Sequence, residues 1–86
     1  MARLYQAQGA PKSIAPRDGS CTFGVGEIEQ IVNGYLQVVP IGHGAVMLID
    51  VDGVEKQRKP NREASRIAGF PIVGDALICG FYEFRL

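Results

Sequence analysis

The sequence predicts an α+β fold: a small antiparallel sheet of four or five strands carrying two short helices. Three observations lead there. Apolar residues recur at helical spacing in two short windows, Val25–Val32 and Ala64–Ala68. Runs rich in β-branched and aromatic residues occupy Tyr35–Val39, Ala45–Ile49 and Ala76–Phe84. Between them stand turn-forming clusters such as Pro16-Arg17-Asp18-Gly19, Gly42-His43-Gly44 and Asp52-Gly53.

Taken in order, Leu4–Ala7 and Lys12–Ala15 read as strands flanking Gly9-Ala10-Pro11, and Pro16–Gly19 as a turn. Val25, Ile28, Ile31 and Val32 then form one stripe of a two-turn helix. Glu27 and Glu29 suit its positive end, and Gly34 is placed to end it in a left-handed conformation. Tyr35–Val39 is a strand closed by Pro40, and Ile41–Gly44 a tight connection. Ala45–Ile49 is apolar on both faces, as a central strand is. Asp52-Gly53 predicts a hairpin returning into a strand over Val54–Gln57, completing a three-stranded meander. Asn61 is an N-cap for a helix with Ala64, Ile67 and Ala68 inward and Gly69 at its end. Phe70–Asp75 is a loop, and Ala76–Phe84 the last strand, with Ile78, Gly80, Tyr82 and Phe84 on one face.

Length and composition narrow the function. Residues 1–86 make one domain, and a chain of this size buries only about 60% of its unfolded surface, so homo-oligomerisation is the natural source of further burial. Nine basic and nine acidic residues balance, so no global field selects a nucleic-acid or membrane partner. No apolar run approaches the length of about 18 residues that spans a bilayer, and Met1–Gln6 lacks the apolar core of a signal peptide. The expected location is the cytoplasm. Two cysteines are too few for a disulfide framework, and Cys79 in Ala76-Leu77-Ile78-Cys79 reads as a small core hydrophobe.

Catalytic machinery is not visible. His43 is the only histidine and neither cysteine belongs to a CxxC pair, so Cys and His alone cannot form a zinc tetrad. Asp50 and Asp52 read as solvated edge residues rather than a cation site. Cys21 and His43 carry no local nucleophile signature, and His43 reads as a turn residue. Gly24-Val25-Gly26 opens a helix but lacks the third glycine of a dinucleotide motif and the lysine of a P-loop. The expectation is a protein without enzymatic activity, metal or cofactor.

One segment departs from the balanced average. Lys56–Arg66 holds five of the nine basic residues, Lys56, Arg58, Lys59, Arg62 and Arg66, against Glu63 alone. It leads through Pro60-Asn61 into a helix, whose first N–H groups also attract anions. A cation at Arg62 opposes the helix dipole, costing about 0.3 kcal/mol unless an anion lies near. The bland reading is a solvated basic face. The functional reading is a site for a phosphate-bearing small ligand held by Arg58, Lys59 and Arg62, with Asn61 or Tyr35 hydrogen-bonding or stacking. Five charges on a neutral domain provide few phosphate contacts, which disfavours extended nucleic acid.

The order of Ile31-Val32-Asn33-Gly34-Tyr35-Leu36-Gln37-Val38-Val39-Pro40, Asp52-Gly53, Pro60-Asn61-Arg62-Glu63-Ala64 and Ile72-Val73-Gly74-Asp75-Ala76-Leu77-Ile78 resembles the family called domain of unknown function 3846. The likeness spans Ile31 to Ile78. Two positions depart from the family pattern: Asn33 stands where a glycine is usual, and Gln37 where a glutamate is. Asn tolerates the left-handed region, whereas the second change removes a carboxylate. The resemblance implies a small protein of phage or mobile-element type. By analogy it points to a homo-oligomeric sponge that sequesters a cyclic nucleotide immune signal. The alternative is a protein-interaction module that inhibits a host or defence protein.

Overall fold

The computed structural model describes residues 2–17 and 19–85. Strands β1 (Ala2–Tyr5), β2 (Lys12–Ile14), β4 (Leu36–Gly42), β5 (Ala45–Asp50) and β6 (Ala76–Gly80) form one sheet in the order β2-β1-β6-β5-β4. Every neighbouring pair in it is antiparallel. With helices α1 (Val25–Val32) and α2 (Arg62–Ala68), this is the expected α+β class. A two-residue strand β3 (Phe23–Gly24) pairs in parallel with β7 (Phe84–Arg85) beside it.

The period-two alternation of β5 builds two cores. Val46 and Leu48 join a cluster with Phe23, Ile28, Val32, Leu77 and Cys79 beneath α1. Met47 and Ile49 join Val39, Ala64, Ile72 and Ala76 beneath α2. One helix therefore covers each face, and β5, apolar on both sides, runs through the interior. Burying a side chain such as Leu48 or Phe23 contributes about 2–3 kcal/mol, which makes these two layers the main source of stability. Cys21 and Cys79 are both free thiols, one exposed and one buried.

Several local expectations change. The predicted turn at Pro16–Gly19 includes Asp18, which lies outside the described residues; around it Gly19 N donates to Pro16 O at 3.2 Å. The left-handed residue ending α1 is Asn33 (φ 62°), one position before Gly34. Strand β4 continues through Pro40 to Gly42 instead of closing there. Val51 N donates to Tyr35 O at 2.8 Å, so counting in twos along the β4–β5 register puts Pro40 among residues whose N–H side faces away from β5. On an edge strand the missing donor at that position breaks no ladder bond. The β4–β5 hairpin turns on His43 and Gly44, both at positive φ as a two-residue primed turn requires.

The largest correction concerns 51–58. No strand forms over Val54–Gln57, and the predicted meander is not made there. The segment winds through successive turns instead, with Lys56 N donating to Asp52 O, Gln57 N to Val54 O and Arg58 N to Gly53 O at 2.9–3.0 Å. The last strand also stops early. After Gly80 the chain makes a 3₁₀ turn over Phe81–Glu83, where the Glu83 carboxylate accepts from Gly80 N at 2.6 Å. Tyr82 is consequently exposed and does not share a sheet face with Ile78.

Candidate functional site

Asp50 ends β5 with its side chain almost fully buried, 1% exposed. Its Oδ2 accepts from Lys56 Nζ and Arg58 Nε, both at 2.9 Å, and its Oδ1 accepts from Asp52 N at 2.9 Å. Burial on its own would raise the carboxyl pKa, but the bonds from Lys56, the Asp52 N–H and Arg58 together hold it below the usual aspartate value. Asp50 is thus the anchor of the 51–58 turns and not the solvated edge residue expected from sequence. The two cations also reach α1: Arg58 Nη2 donates to Asn33 O at 2.7 Å and Lys56 Nζ to the same oxygen at 3.4 Å. That carbonyl lies at the negative end of α1, where a cation is favoured.

Two glycines make room for this network. A Cβ on Gly34 would collide with the Asp50 carboxylate. A Cβ on Gly74 would lie 2.8 Å from Arg58 Cδ, at a residue whose φ is already +80°. Gly34 therefore serves close approach, while Asn33 supplies the left-handed turn.

Asn61 is likewise engaged inside the protein. Its Nδ2 donates to Tyr5 O and Gly74 O, each at 2.8 Å, and its Oδ1 accepts from Ala64 N at 3.1 Å. With 1% of its surface exposed, it caps α2 and ties β1 to the 72–75 loop. Asn61 also lines a surface depression beside Arg62, but with both Nδ2 hydrogens and Oδ1 engaged inside the fold it supports that wall and holds no free donor for a ligand. The Ala64 N–H at the start of α2 is spent in the same way.

Around this frame lie three surface depressions in a row. A groove of about 440 Å³ runs between Gln6–Gln8 on one side and Lys56–Lys59 on the other, with Asp75 and Gly74 at its base. Asp75 accepts from Ala7 N at 2.9 Å and so holds the wall it borders. A second depression, about 380 Å³, shares Gln6 and Ala7 with the groove and is bordered by Tyr5, Pro60, Arg62 and Glu63. A third, wider cleft of about 600 Å³ shares Asn33 and Lys56 with the groove and holds Tyr35, Glu29 and Asp52. Lys56 is the ridge between groove and cleft.

The sequence-predicted residues distribute over this row. Lys59 and Arg58 line the groove, Arg62 the second depression and Tyr35 the third. Arg58 has its guanidinium committed to Asp50 and Asn33, so it shapes the groove more than it receives a ligand. Among the described residues, the Lys59 and Arg62 side chains have no hydrogen-bonded or ionic partner. Arg66 pairs with Glu63 at 2.5 Å on the exposed face of α2. Sequence reasoning missed Asp50, Asn33 and the glutamines Gln6, Gln8 and Gln57. A single signal pointed to the first: an acid ending an apolar strand, with cations six and eight residues on across a turn.

Among the described residues no cluster of three His, Cys, Asp or Glu side chains is placed to hold a metal ion, and no helix is long and apolar enough to cross a membrane. No family model, curated protein or solved structure matches the chain. The likeness to domain of unknown function 3846 accordingly rests on the motif order alone.

Proposed function

We propose that this protein is a non-enzymatic binder of a phosphate-bearing small ligand, with the phosphate in the Gln6–Lys59 groove and an attached ring against Tyr35. The observation that carries the reading is the continuity of the two sites across Lys56, with Lys59, unpartnered among the described residues, on one side and a 73% exposed Tyr35 on the other. Amide side chains of Gln6, Gln8 and Gln57 add donors to the groove. A nucleotide has the matching layout, an anion joined through a sugar to a stacking base. In its most specific form the reading is a homo-oligomeric sponge of phage or mobile-element type that sequesters a cyclic nucleotide immune signal in the host cytoplasm. The motif order supports that form by analogy.

A thermal-shift panel of cyclic and linear nucleotides tests it. A ligand present at a hundredfold excess over its Kd stabilises by about 2.7 kcal/mol, which for a domain of this size raises Tm by about 10 °C or more. The shift is expected to fall sharply in Lys59→Ala, and in Arg62→Ala if the ligand extends past Gln6. Absence of a shift with every nucleotide would count against the reading.

Exposed Val54, Phe70, Phe81 and Tyr82 favour a second reading, a protein-interaction module that inhibits a host or defence protein. Capture of one host protein, lost on Phe81→Ser or Tyr82→Ser and indifferent to Lys59→Ala, is the outcome that selects it.

A further inference from the structure

We infer that the cleft beside Tyr35 selects guanine over adenine, so that the ligand of the adjoining groove is a guanine nucleotide. The inference rests on the proposed phosphate groove and adds to it the identity of the base.

The chemistry follows from what the cleft offers. Tyr35 presents its ring to solvent and supplies a stacking face. On the walls stand two half-buried carboxylates, Glu29 from the exposed side of α1 and Asp52 from the first turn after β5. Neither side chain has a hydrogen-bond or ion-pair partner among the described residues, in contrast to Glu27, which accepts from Arg17 N at 2.7 Å. Carboxylates only accept hydrogen bonds at neutral pH. The Watson–Crick edge of guanine carries two adjacent donors, N1–H and the N2 amino group, which match a carboxylate in a bidentate pair. The same edge of adenine carries one donor beside a bare N1 acceptor, and that lone pair faces the carboxylate unfavourably. The acids are not matched by cations inside the cleft except at its border, where Lys56 is already bound to Asp50. Lys56 is also the residue shared with the groove, which puts the base and phosphate sites side by side.

The lining of the cleft includes exposed Gly26, where an added Cβ would meet nothing within 4 Å. A larger residue at this lining position has open space at its Cβ, so access to the cleft can be tested separately from its acids.

The experiment is calorimetric titration of the protein with 3′,5′-cyclic GMP, cyclic AMP and cyclic IMP, alongside pyrophosphate as a base-free probe of the groove. Cyclic GMP is expected to bind about tenfold or more tightly than cyclic AMP, with cyclic IMP, which lacks the N2 amino group, between them. In the variants Glu29→Gln and Asp52→Asn, one or both should narrow the preference to about threefold or less. Gly26→Leu should weaken all three cyclic nucleotides while leaving pyrophosphate unchanged. Equal affinity for cyclic GMP and cyclic AMP, or a guanine preference that survives both acid variants, overturns the inference and leaves the groove reading intact. Binding of pyrophosphate with no gain from any base does the same. Failure of all four probes to bind overturns both.

Discussion

Lys56 and Arg58 stand beside Lys59 and Arg62 in one basic stretch, yet the two pairs have opposite fates. The first pair is folded onto a buried aspartate and a helix-end carbonyl. The second has no side-chain partner among the described residues and borders open depressions. A run of like charges is therefore not one surface. The first two cations belong to the architecture of the 51–58 turns, where Asp50 neutralises one of their two charges and the Asn33 carbonyl engages both. What remains for an anion comes from Lys59 and Arg62, together with backbone and amide donors.

Breaking the first half of the comparison should have the largest effect. Asp50→Ala removes the acceptor of two cations and of the Asp52 N–H, and is expected to cost about 3 kcal/mol, measured by urea unfolding. The exposed Lys56 can recover water, which keeps the figure at the lower end for a buried pair. Gly34→Ala, which drives a methyl group into the same carboxylate, should cost about 2 kcal/mol by the same assay. A loss under about 0.5 kcal/mol in both would show that the network is not structural.

The next effect lies at Asn61, which stands between Lys59 and Arg62 as the N-cap of α2. Asn61→Ala deletes a cap and both side-chain hydrogen bonds to Tyr5 O and Gly74 O, and should destabilise by about 2 kcal/mol. Its cost should exceed that of Arg62→Ala at the next position, which is expected to stay within about 0.5 kcal/mol.

Acid titration sharpens the comparison further. The folded-state pKa of Asp50 is depressed, so the unfolded state binds the proton more readily. Its contribution is complete above the unfolded aspartate pKa and is lost as pH falls through the lower folded value. Stability should therefore decline as pH falls from the unfolded aspartate pKa through the lower folded one, and Asp50→Asn should flatten this part of the pH profile. Lys59→Ala should leave it unchanged.

The smallest effect concerns the two thiols, a second pair with contrasting surroundings. Burial, with a minor push from Glu83, raises the Cys79 pKa to about 11, while Cys21 is exposed. A thiol reagent at neutral pH should label Cys21 promptly and Cys79 only as fast as the domain opens. Labelling of Cys79 at the Cys21 rate would mean that the α1 core is loosely packed.

Much of the fold was legible because its signals are local. The stripes Val25–Val32 and Ala64–Ala68, the run Ala45–Ile49 and the capping residues Asn61 and Gly69 each act within one or two turns of chain. The misread places are those where a distant group outweighs local preference. Asp52-Gly53 has the chemistry of a hairpin, but the buried Asp50 carboxylate draws Lys56 and Arg58 back toward α1 and winds the segment up instead. Pro40 is a strand breaker only where its missing N–H would have been needed, and an edge position removes that need. Ala76–Phe84 reads as one strand until Glu83 turns back onto Gly80.

The candidate site divides along the same line. The sequence by itself determined the α+β class, the two helices with their apolar stripes, the buried central strand Ala45–Ile49 and the cluster of cations around Pro60. Each follows from periodicity, capping or charge over a short stretch. Only the tertiary structure decided which cations are free, because the partner of Lys56 and Arg58 lies at a strand end and their second acceptor at a helix end 25 residues away from Arg58. It also decided that Asn61 faces inward and that Gln6, Tyr35 and Lys59 border connected depressions. These are relations across the sheet between segments far apart in the chain, and a buried carboxylate overrides the turn preferences of its neighbours because leaving it unpaired would cost more than bending them.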